Sequence, residues 1–261
     1  MARVLVVGGT GLAGREVTAE AARRGHDVTV ASRRVPDDDS EAYVPDVDYA
    51  AVDIVTGDGL DEALDGIDVL IDTTNGVKRS SRSVLTIGAQ NLLHGAARWG
   101  VGQAVLLSIV NVDESSYSYY QAKALQERIY RDSILESRIV RATQFHDFVS
   151  SLFSSGARYG LIPAFSRVRF QPIAVRDVAR VLVDAAEGAT APGAVTSVGG
   201  PEVLTSREMA EEWKRATNAH GVIVSSPLPR GLGASWRTGR NLVPEHKVGT
   251  ITYSEWLTSR A

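Results

Sequence analysis

The chain of 261 residues has no cysteine, only two methionines and few lysines, so most of its positive charge is carried by arginine. The absence of cysteine excludes disulfides, thiolate metal sites and cysteine nucleophiles, and it is typical of a cytoplasmic protein. The formal net charge of −3 indicates neither a nucleic-acid-binding surface nor an anionic-membrane-binding surface, because both need an excess of positive charge.

The sequence also lacks the features of membrane, secreted and metal-binding proteins. No apolar run approaches the roughly 20 residues that a membrane span needs. The opening stretch, MARVLVVGGTG, has neither the apolar region nor the cleavage site of a signal peptide. The histidines show no ligand spacing. We therefore expect a cytoplasmic protein with no membrane or nucleic-acid partner and no metal.

Strands and helices alternate over the first 145 residues. The predicted strands are Arg3–Val7, Val28–Ala31, Val47–Val52, Val69–Asp72, Ala104–Leu107 and Arg138–Arg141. The predicted helices run from the first glycine loop to about Arg24, near Leu60–Leu64, over Val84–Trp99 and over Tyr119–Arg131. This alternation predicts an α/β fold with a doubly wound parallel sheet of the Rossmann type and right-handed crossovers. The ligand of such a sheet binds at the carboxyl ends of the strands.

Beyond about Phe145 the alternation of strands and helices becomes irregular, with scattered prolines and glycines. Two helices still stand out, Val175–Glu187 and Ser206–Ala216, and the second begins with the capping-box pair Thr205 and Glu208. We predict a dinucleotide-binding domain over residues 1–150. Residues 151–261 are predicted to form a smaller C-terminal substrate lobe, with segments that pack back on the first domain.

A glycine loop follows the first strand. The stretch VVGGTGLAGREV contains Gly9, Gly11 and Gly14 in the pattern G-x-G-x-x-G, directly after a strand and at the start of a helix. In this pattern the first glycine permits a tight turn, the second lets the backbone approach a pyrophosphate, and the third lets helix and strand pack closely. The context favours dinucleotide binding; the alternative is a glycine-rich turn without a ligand.

The end of the second strand indicates which dinucleotide binds. NAD sites place a carboxylate there, on the ribose 2′-hydroxyl. The sequence instead reads VTVASRR, with Ser32, Arg33 and Arg34 at that place. Arginine suits a 2′-phosphate, because its guanidinium is always charged and binds two oxygens at once. We therefore predict NADP(H); the alternative is that both arginines are ordinary surface residues.

A tyrosine and a lysine stand four residues apart in SSYSYYQAKALQE. Tyr119 and Lys123 share one face of a predicted helix. A lysine ammonium near a phenol lowers the pKa of the phenol, so Tyr119 is a candidate to protonate a carbonyl oxygen that receives hydride. Ser108, at the end of the fifth strand, is a candidate to hold that oxygen. The alternative is that the pair binds cofactor without doing chemistry.

These segments resemble a known superfamily. The stretches GGTGLAG, SIVNV, YYQAKALQE and IVRATQFHDF, in this order, resemble the short-chain dehydrogenases/reductases, in their atypical, NmrA-like, NAD(P)H-binding branch. The resemblance covers nearly the whole chain and is firmest over residues 1–150. It implies a Rossmann fold with a small substrate lobe. Members of this branch include quinone reductases, other small-molecule reductases and proteins that only sense the NADP redox state.

The resemblance also implies roles for individual residues at matching positions. The implied catalytic residues are Ser108, Tyr119 and Lys123. The implied NADP-binding residues are Gly8, Thr10, Gly11, Leu12 and Gly14 in the phosphate loop, Ser32, Arg33 and Arg34 at the 2′-phosphate, Asp53 and Ile54 at the adenine, Thr73, Thr74 and Asn75 at the ribose and nicotinamide, Lys123, and Ala142, Thr143, Gln144 and Phe145 at the nicotinamide face. The proline usual in that last loop is absent, because the sequence reads RATQFH.

Three further residues are candidates for substrate contact. His146 follows the sixth strand near the expected substrate mouth, and Phe148 lies two residues on. Trp236 lies in a stretch that we interpret as a loop and is a candidate lid residue. For each of them the alternative is a structural role, as a surface or buried histidine or as a packed aromatic.

The sequence thus predicts a reductase that transfers hydride from NADPH to a carbonyl or quinone-like small molecule, with Tyr119 as general acid. Two other functions stay open. One is a non-catalytic NADP redox sensor that binds a protein partner. The other is an epimerase or dehydratase that retains its cofactor. Neither the substrate nor the oligomeric state, monomer or homodimer, follows from the sequence.

Overall fold

The computed structural model describes residues 1–76, 78–228 and 232–260. The strands are β1 (Arg3–Val7), β2 (Asp27–Ser32), β3 (Asp48–Ala51), β4 (Val69–Asp72), β5 (Gln103–Ile109), β6 (Glu136–Ala142), β7 (Leu161–Phe165), β8 (Arg169–Phe170), β9 (Val195–Val198), β10 (Leu204–Thr205) and β11 (Val222–Ser226). The α-helices are α1 (Leu12–Arg23), α2 (Leu60–Leu64), α3 (Ile87–Arg98), α4 (Ser118–Arg131), α5 (His146–Ala157), α6 (Val175–Ala186), α7 (Ser206–Ala216), α8 (Leu232–Arg237) and α9 (Tyr253–Thr258).

A seven-stranded sheet has the strand order β3-β2-β1-β4-β5-β6-β9. The pairs β1–β2, β2–β3, β1–β4 and β4–β5 are parallel. The order 3-2-1-4-5-6 is that of the Rossmann fold, and it reverses direction between β1 and β4. The predicted fold class is confirmed. The loops after β1 and β4 therefore flank the crevice where such sheets bind their ligand.

Two compact units can be distinguished by contacts within the chain. The first comprises Met1–Ser108, Ser118–Val140 and Ala179–Thr196, and the second comprises Ile109–Tyr117, Arg141–Val178 and Ser197–Ala261. The units alternate along the sequence, whereas the sequence placed one boundary near residue 150. The last residues of β5, β6 and β9 belong to the second unit, whereas the rest of each strand belongs to the first. Helix α6 begins in the second unit and ends in the first. Substrate binding by residues 151–261 stays a prediction.

The first unit has its core between the sheet and helices α2, α3 and α4. Strand β1 is apolar from Val4 to Val7, and all four side chains are buried. Helix α3 buries Ala89, Leu92, Leu93 and Ala96, the spacing of one helical face. At Gly88 a Cβ atom would lie 2.8 Å from Ile54 Cδ1, so the absence of a side chain lets α3 pack closely on Ile54.

The second unit has a core of its own, formed by residues from α5, α7, α8, α9 and the short strands. Strands β7 and β11 pair in parallel, and β8 pairs with β10 in antiparallel. The buried carboxylate of Asp177 accepts hydrogen bonds from the backbone N–H groups of Thr250 and Ile251 at 2.9 and 3.2 Å. These bonds anchor the segment before α9, where a second capping box joins Thr252 and Glu255.

Two expectations about individual elements need correction. The helix expected over Val84–Trp99 begins at Ile87, because Arg79–Leu85 forms a separate 3₁₀ helix. Trp236, expected in a loop, lies in helix α8. The predicted capping box of Thr205 and Glu208 at the start of α7 is confirmed.

Candidate functional site

The glycine loop joins β1 to α1 in a tight turn. Gly8 has a φ of +76°, and its N–H donates to Ala31 O on β2 at 2.9 Å. The N–H of Gly11 then donates to Gly8 O at 2.9 Å. Helix α1 begins at Leu12, and no side chain caps its N-terminus at Gly11. The first N–H groups of a helix have no partner within the helix, so this uncapped end suits an anionic phosphate.

One glycine of this loop has a different role from the one expected. The left-handed turn lies at Gly8, not at Gly9. Gly9 is required for space instead, because a Cβ there would lie 2.6 Å from Val30 Cγ1. At Gly14 a Cβ would lie 2.2 Å from Gly8 O, so α1 packs directly on the loop, as predicted. Gly11 is exposed, and a Cβ there would meet one atom within 4 Å outside its chain neighbours, Gly8 O at a tight 3.2 Å.

Gly11→Ala and Gly14→Ala form a matched pair of variants with different expected results. Gly14→Ala is expected to lower the free energy of unfolding by about 1–3 kcal/mol, because its methyl group meets backbone atoms that cannot rotate away. Gly11→Ala is expected to lose less stability, because its one close contact is at 3.2 Å. It is expected to lose most of the rise in melting temperature that NADPH produces, because its methyl group adds bulk at the uncapped helix end. Denaturant unfolding and thermal shift measure the two effects. Equal loss of stability in both variants contradicts this assignment.

The end of β2 presents two arginines to solvent. Ser32 is half-buried, and its hydroxyl donates to Arg34 O at 2.5 Å, which shapes the turn after the strand. Arg33 and Arg34 are exposed. Within residues 1–76, 78–228 and 232–260, neither guanidinium has an ion-pair or hydrogen-bond partner. Both charges are therefore available to a ligand at the end of β2.

Asp53 and Ile54 follow β3. The Asp53 Oδ1 atom accepts from the backbone N–H of Val55 at 2.8 Å, which holds the carboxylate in a fixed turn. Ile54 is buried and packs in the first unit's core. Asp53 is thus half-buried, and Ile54 packs in the core. Contact of these two residues with the adenine stays a prediction.

The loop after β4 holds the predicted ribose-side residues. The backbone and hydroxyl groups of Thr73 both donate to Val7 O at 2.9 Å, which ties this loop to β1. The N–H of Thr74 donates to Asp72 Oδ1 at 2.8 Å. Asn75 is exposed, and its Oδ1 accepts the hydroxyl proton of Tyr119 at 2.8 Å. The loop and α4 therefore meet at the hydroxyl of Tyr119.

Helix α4 turns a polar face inward. Its buried side chains are Tyr119, Tyr120, Lys123, Gln126, Glu127 and Tyr130. The spacing from Tyr119 to Lys123 and onward to Glu127 is one helical face. An inward face of this composition is unusual, because buried ionisable groups are costly unless they are paired. The predicted pair Tyr119 and Lys123 thus lies on a face occupied largely by polar side chains.

Lys123 is held by two acceptors. Its Nζ donates to Gln126 Oε1 at 2.7 Å and lies 3.4 Å from Thr74 O. Burial lowers the pKa of Lys123 to about 8, against the opposing influence of the charges on Asp72 and Glu127. A lysine with this pKa titrates near neutral pH, which suits a group that supports proton transfer.

Asp72 lies at the centre of a buried network. Its Oδ2 accepts from Gln126 Nε2 at 2.9 Å and from the hydroxyl of Tyr130 at 2.7 Å. Burial, together with the negative charge and hydrogen bond of Asp72, raises the pKa of Tyr130 well above its usual value. The chain Asp72–Gln126–Lys123 therefore fixes the ammonium by hydrogen bonds from β4 to α4.

Ser108 has a different partner from the one expected. Its hydroxyl donates to Glu127 Oε1 at 2.6 Å, and both side chains are buried. The second oxygen of Glu127 accepts from the guanidinium of Arg131 at 2.8 Å. The serine predicted to hold a substrate oxygen thus gives its proton to a carboxylate of the protein.

The remaining predicted site residues lie in the second unit. Ala142, Thr143 and Gln144 are buried and Phe145 is half-buried. The hydroxyl of Thr143 donates to Gln171 O at 2.5 Å, and Gln144 Oε1 lies 3.3 Å from Asn241 Nδ2. Their contact with nicotinamide stays a prediction.

The three candidate substrate residues also lie in the second unit. His146 is fully buried, its Nε2 lies 3.1 Å from Ile251 O, and burial lowers the pKa of its imidazole to about 4. Trp236 is buried and packs edge-on against Phe148 and Phe170, with ring centroids at 6.1 and 5.2 Å. Phe148 is 40% exposed, so it is the most accessible of the three. Substrate contact by these residues stays a prediction.

Sequence reasoning missed four site residues, namely Asp72, Gln126, Glu127 and Tyr130. A signal for three of them was present. The spacing of Gln126, Glu127 and Tyr130 from Tyr119 repeats at helical intervals, whereas the apolar Leu125 of the same helix is 40% exposed. Asp72 ends an otherwise apolar strand, and its burial depends on contacts with residues more than 50 positions away.

Across the part of the chain that the structure describes, no group of three or more histidine, aspartate or glutamate side chains is arranged to hold a metal ion. No helix within those residues has the length and apolar character needed to cross a membrane.

Curated relatives are reductases. The chain is 29% identical, over 217 residues, to the (4-alkanoyl-5-oxo-2,5-dihydrofuran-3-yl)methyl phosphate reductase of Streptomyces griseus, covering 81% of this chain and 73% of that protein. It is 26% identical, over 232 residues, to the chloroplastic divinyl chlorophyllide a 8-vinyl-reductase of Arabidopsis thaliana. That match covers 80% of this chain and 56% of the plant protein, so the chain spans little more than half of that relative.

Solved structures share the fold. An NADPH-dependent quinone oxidoreductase from Escherichia coli, complexed with NADPH, aligns with a TM-score of 0.79 and 15% identity over 98% of this chain and 99% of its own. A UDP-glucose 4-epimerase from Thermotoga maritima aligns with a TM-score of 0.78 and 16% identity over 98% of this chain and 96% of its own. At such low identity these matches establish the fold alone.

The family itself follows from a match over most of the chain. The family model described as NAD(P)H-binding matches residues 8–188, which include the glycine loop, the loop after β4 and all of α4. The resemblance to the NAD(P)H-binding branch is thereby confirmed. From its fold, its glycine loop and this match, the chain belongs to the NAD(P)H-binding family.

Proposed function

We propose that this protein is an NADP(H)-dependent reductase that transfers hydride from NADPH to a carbonyl or quinone-like small molecule. The observation that carries the proposal is the placement of Tyr119 and Lys123. Both lie on the buried face of α4, and Tyr119 donates to Asn75 in the loop that flanks the ligand crevice between β1 and β4. The bound cofactor would supply the hydride.

The chain's own residues supply the proton and the positioning. Tyr119 is the general acid and gives its hydroxyl proton to the oxygen of the reduced group. Lys123, held by Gln126, favours the phenolate that remains and anchors the cofactor ribose. The uncapped start of α1 binds the pyrophosphate. Ser108, near the end of β5, contacts the same helix through Glu127.

Arg33 and Arg34 support NADP(H) over NAD(H). Replacing both by Ala is expected to weaken NADPH binding by about 1.5–3 kcal/mol, roughly 10- to 150-fold, because charge-assisted hydrogen bonds to the 2′-phosphate are lost. NADH, which lacks that phosphate, should bind as before. Titration calorimetry with both cofactors measures the difference, and Arg128→Ala, on an exposed position of α4, controls for loss of charge. Equal weakening for NADPH and NADH contradicts the assignment.

The reductase relatives favour this function over the two alternatives. A redox sensor would bind NADPH without oxidising it, and an epimerase would retain its cofactor and consume none. The test is NADPH oxidation, followed at the absorbance band of NADPH, against quinones, aldehydes, ketones and vinyl-bearing compounds. The vinyl compounds are included because one relative is a vinyl-reductase. Binding of NADPH with no oxidation by any acceptor contradicts the proposal and favours the sensor.

A further inference from the structure

We propose that Gln126 is a positioning residue that holds two buried charges apart, the carboxylate of Asp72 and the ammonium of Lys123. Its amide gives Lys123 a neutral oxygen in place of a carboxylate, so the ammonium has no counter-ion in direct contact and gives up its proton easily. The effect on the charge of Lys123 stands by itself, whereas its consequence for turnover rests on the proposed reductase function.

The hydrogen bonds fix the orientation of the Gln126 amide. An ammonium can only donate, so the Gln126 atom that lies 2.7 Å from Lys123 Nζ is the oxygen. A carboxylate can only accept, so the atom that lies 2.9 Å from Asp72 Oδ2 is the nitrogen. A flipped amide would place two acceptors together on one side and two donors together on the other. One orientation alone therefore satisfies both charged groups.

Among the described residues, neither charge is in direct contact with a group of opposite sign. The donors to Asp72 are the amide of Gln126, the hydroxyl of Tyr130 and the N–H of Thr74, and all three are neutral. The oxygens of Gln126 and Thr74 that lie near the ammonium of Lys123 are neutral too. Asp72 and Gln126 are fully buried, and Lys123 is 4% exposed. Buried charges are ordinarily paired directly, so a neutral spacer between them is a specific arrangement.

The charges around Lys123 only partly offset its burial. Burial lowers the pKa of Lys123 from an ordinary 10.5 to about 8, and within the described part of the chain the charges of Asp72 and Glu127 oppose this shift. Glu127 is itself paired with the guanidinium of Arg131 at 2.8 Å. Further titratable or charged side chains on the elements that contact α4, or on α4 itself, are Tyr119, Tyr130 and, in the 3₁₀ helix Arg79–Leu85, Arg82.

Two substitutions change the charge near Lys123 in opposite directions. Gln126→Glu replaces the spacer by a carboxylate of nearly the same shape. Two carboxylates 2.9 Å apart cannot both ionise, so the new group shares one proton with Asp72 and brings negative charge to 2.7 Å from Lys123. Asp72→Asn instead removes a negative charge that raises the pKa of Lys123. Gln121→Glu, at an exposed position of α4, adds a carboxylate to the same helix and is the matched control.

The first test measures the titration of Lys123 directly and needs no turnover. The chain has only four lysines, Lys78, Lys123, Lys214 and Lys247, so protein labelled with ¹³C at lysine Cε should give four NMR signals. The signal that Lys123→Arg removes is that of Lys123. Its midpoint is expected near pH 8 in wild type and above about pH 9 in Gln126→Glu. Asp72→Asn should lower the midpoint by about one pH unit, and Gln121→Glu should leave it nearly unchanged because an exposed charge is screened.

Two results would overturn the role of Gln126. One is a wild-type midpoint of Lys123 at the ordinary 10.5. The other is the same midpoint in wild type, Gln126→Glu and Asp72→Asn. A general loss of packing would not move the midpoint up in one variant and down in the other. Either variant decides the matter where the other folds poorly.

The second test follows turnover with pH. Only the charged ammonium favours the phenolate of Tyr119, so kcat for NADPH oxidation should fall as pH rises through the midpoint of Lys123. With a midpoint near pH 8, wild type should lose about tenfold between pH 7 and pH 9, because the charged fraction falls about tenfold over that range. Gln126→Glu should lose at most about twofold, and Gln121→Glu should follow wild type.

The outcomes separate this inference from the proposed function. The same fall of kcat with pH in wild type and Gln126→Glu, with different midpoints of Lys123, overturns the effect on turnover and leaves the reductase standing. No turnover of any acceptor, with NADPH bound, overturns the reductase. The NMR titration then still decides whether Gln126 sets the charge of Lys123.

Discussion

Replacing Tyr119 by Phe is expected to lower kcat/KM about 10²- to 10⁴-fold while NADPH binding survives, because the variant keeps the ring and loses only the proton donor. The hydroxyl also donates to Asn75, so its removal frees one acceptor on an exposed loop, which costs little in folding. The measurement is NADPH oxidation with the best acceptor for wild type. The shift in melting temperature with NADPH verifies binding.

Tyr120→Phe is the matched control for this result. Tyr120 is also buried on α4, with its ring centroid 5.7 Å from that of Tyr119. Removal of its hydroxyl is expected to leave turnover within a few-fold of wild type. Loss of turnover in Tyr120→Phe together with normal turnover in Tyr119→Phe would assign the role of general acid to Tyr120. Normal turnover in both variants would remove Tyr119 and Tyr120 from the mechanism.

Asp72→Ala is expected to lower the free energy of unfolding by about 3–5 kcal/mol. The substitution removes the acceptor of the Tyr130 hydroxyl and of the Thr74 N–H, and it leaves the amide of Gln126 with only the long bond to Thr74 Oγ1 at 3.4 Å. Each buried donor without a partner costs about 1–3 kcal/mol, and entering water recovers part of the sum. Denaturant unfolding of the purified protein measures the loss.

Asp68→Ala is the control, because it removes an aspartate whose carboxylate, among the described residues, accepts a hydrogen bond from the backbone only. Asp68 is exposed and accepts from the N–H of Arg3 at 2.8 Å, so its removal should cost less than about 1 kcal/mol. A loss in Asp72→Ala no larger than in Asp68→Ala would contradict the network. Because Gln126 also holds Lys123, Asp72→Ala should weaken NADPH binding too, whereas Asp68→Ala should not.

The strands and helices of the first unit could largely be predicted, because the local pattern of apolar and polar residues determines where they form. Strands β1 and β4 and helix α2 have the bounds that the sequence predicts. The start of α7 could be predicted equally well, because a capping box is recognised from four consecutive residues of the sequence. Such features depend on neighbours in sequence and little on the rest of the fold.

The candidate site could be predicted only in part. The glycine loop, Tyr119 and Lys123 are short motifs, and their elements are where the sequence placed them. The partner of Ser108 was not predictable, because a glutamate on a helix is ordinarily a solvated residue and only the approach of α4 to β5 buries Glu127. Trp236 was misplaced for a related reason, since α8 is a short helix with a weak pattern of its own.

The alternation of the two units along the sequence limits how this protein can be re-engineered. Each unit is made of three separate segments, and the chain passes from one unit to the other five times between Ser108 and Ser197. Exchanging one continuous C-terminal fragment at residue 150 would therefore divide both units, because Arg141–Val178 belongs to the second and Ala179–Thr196 to the first. A chimera would have to carry Ile109–Tyr117, Arg141–Val178 and Ser197–Ala261 together.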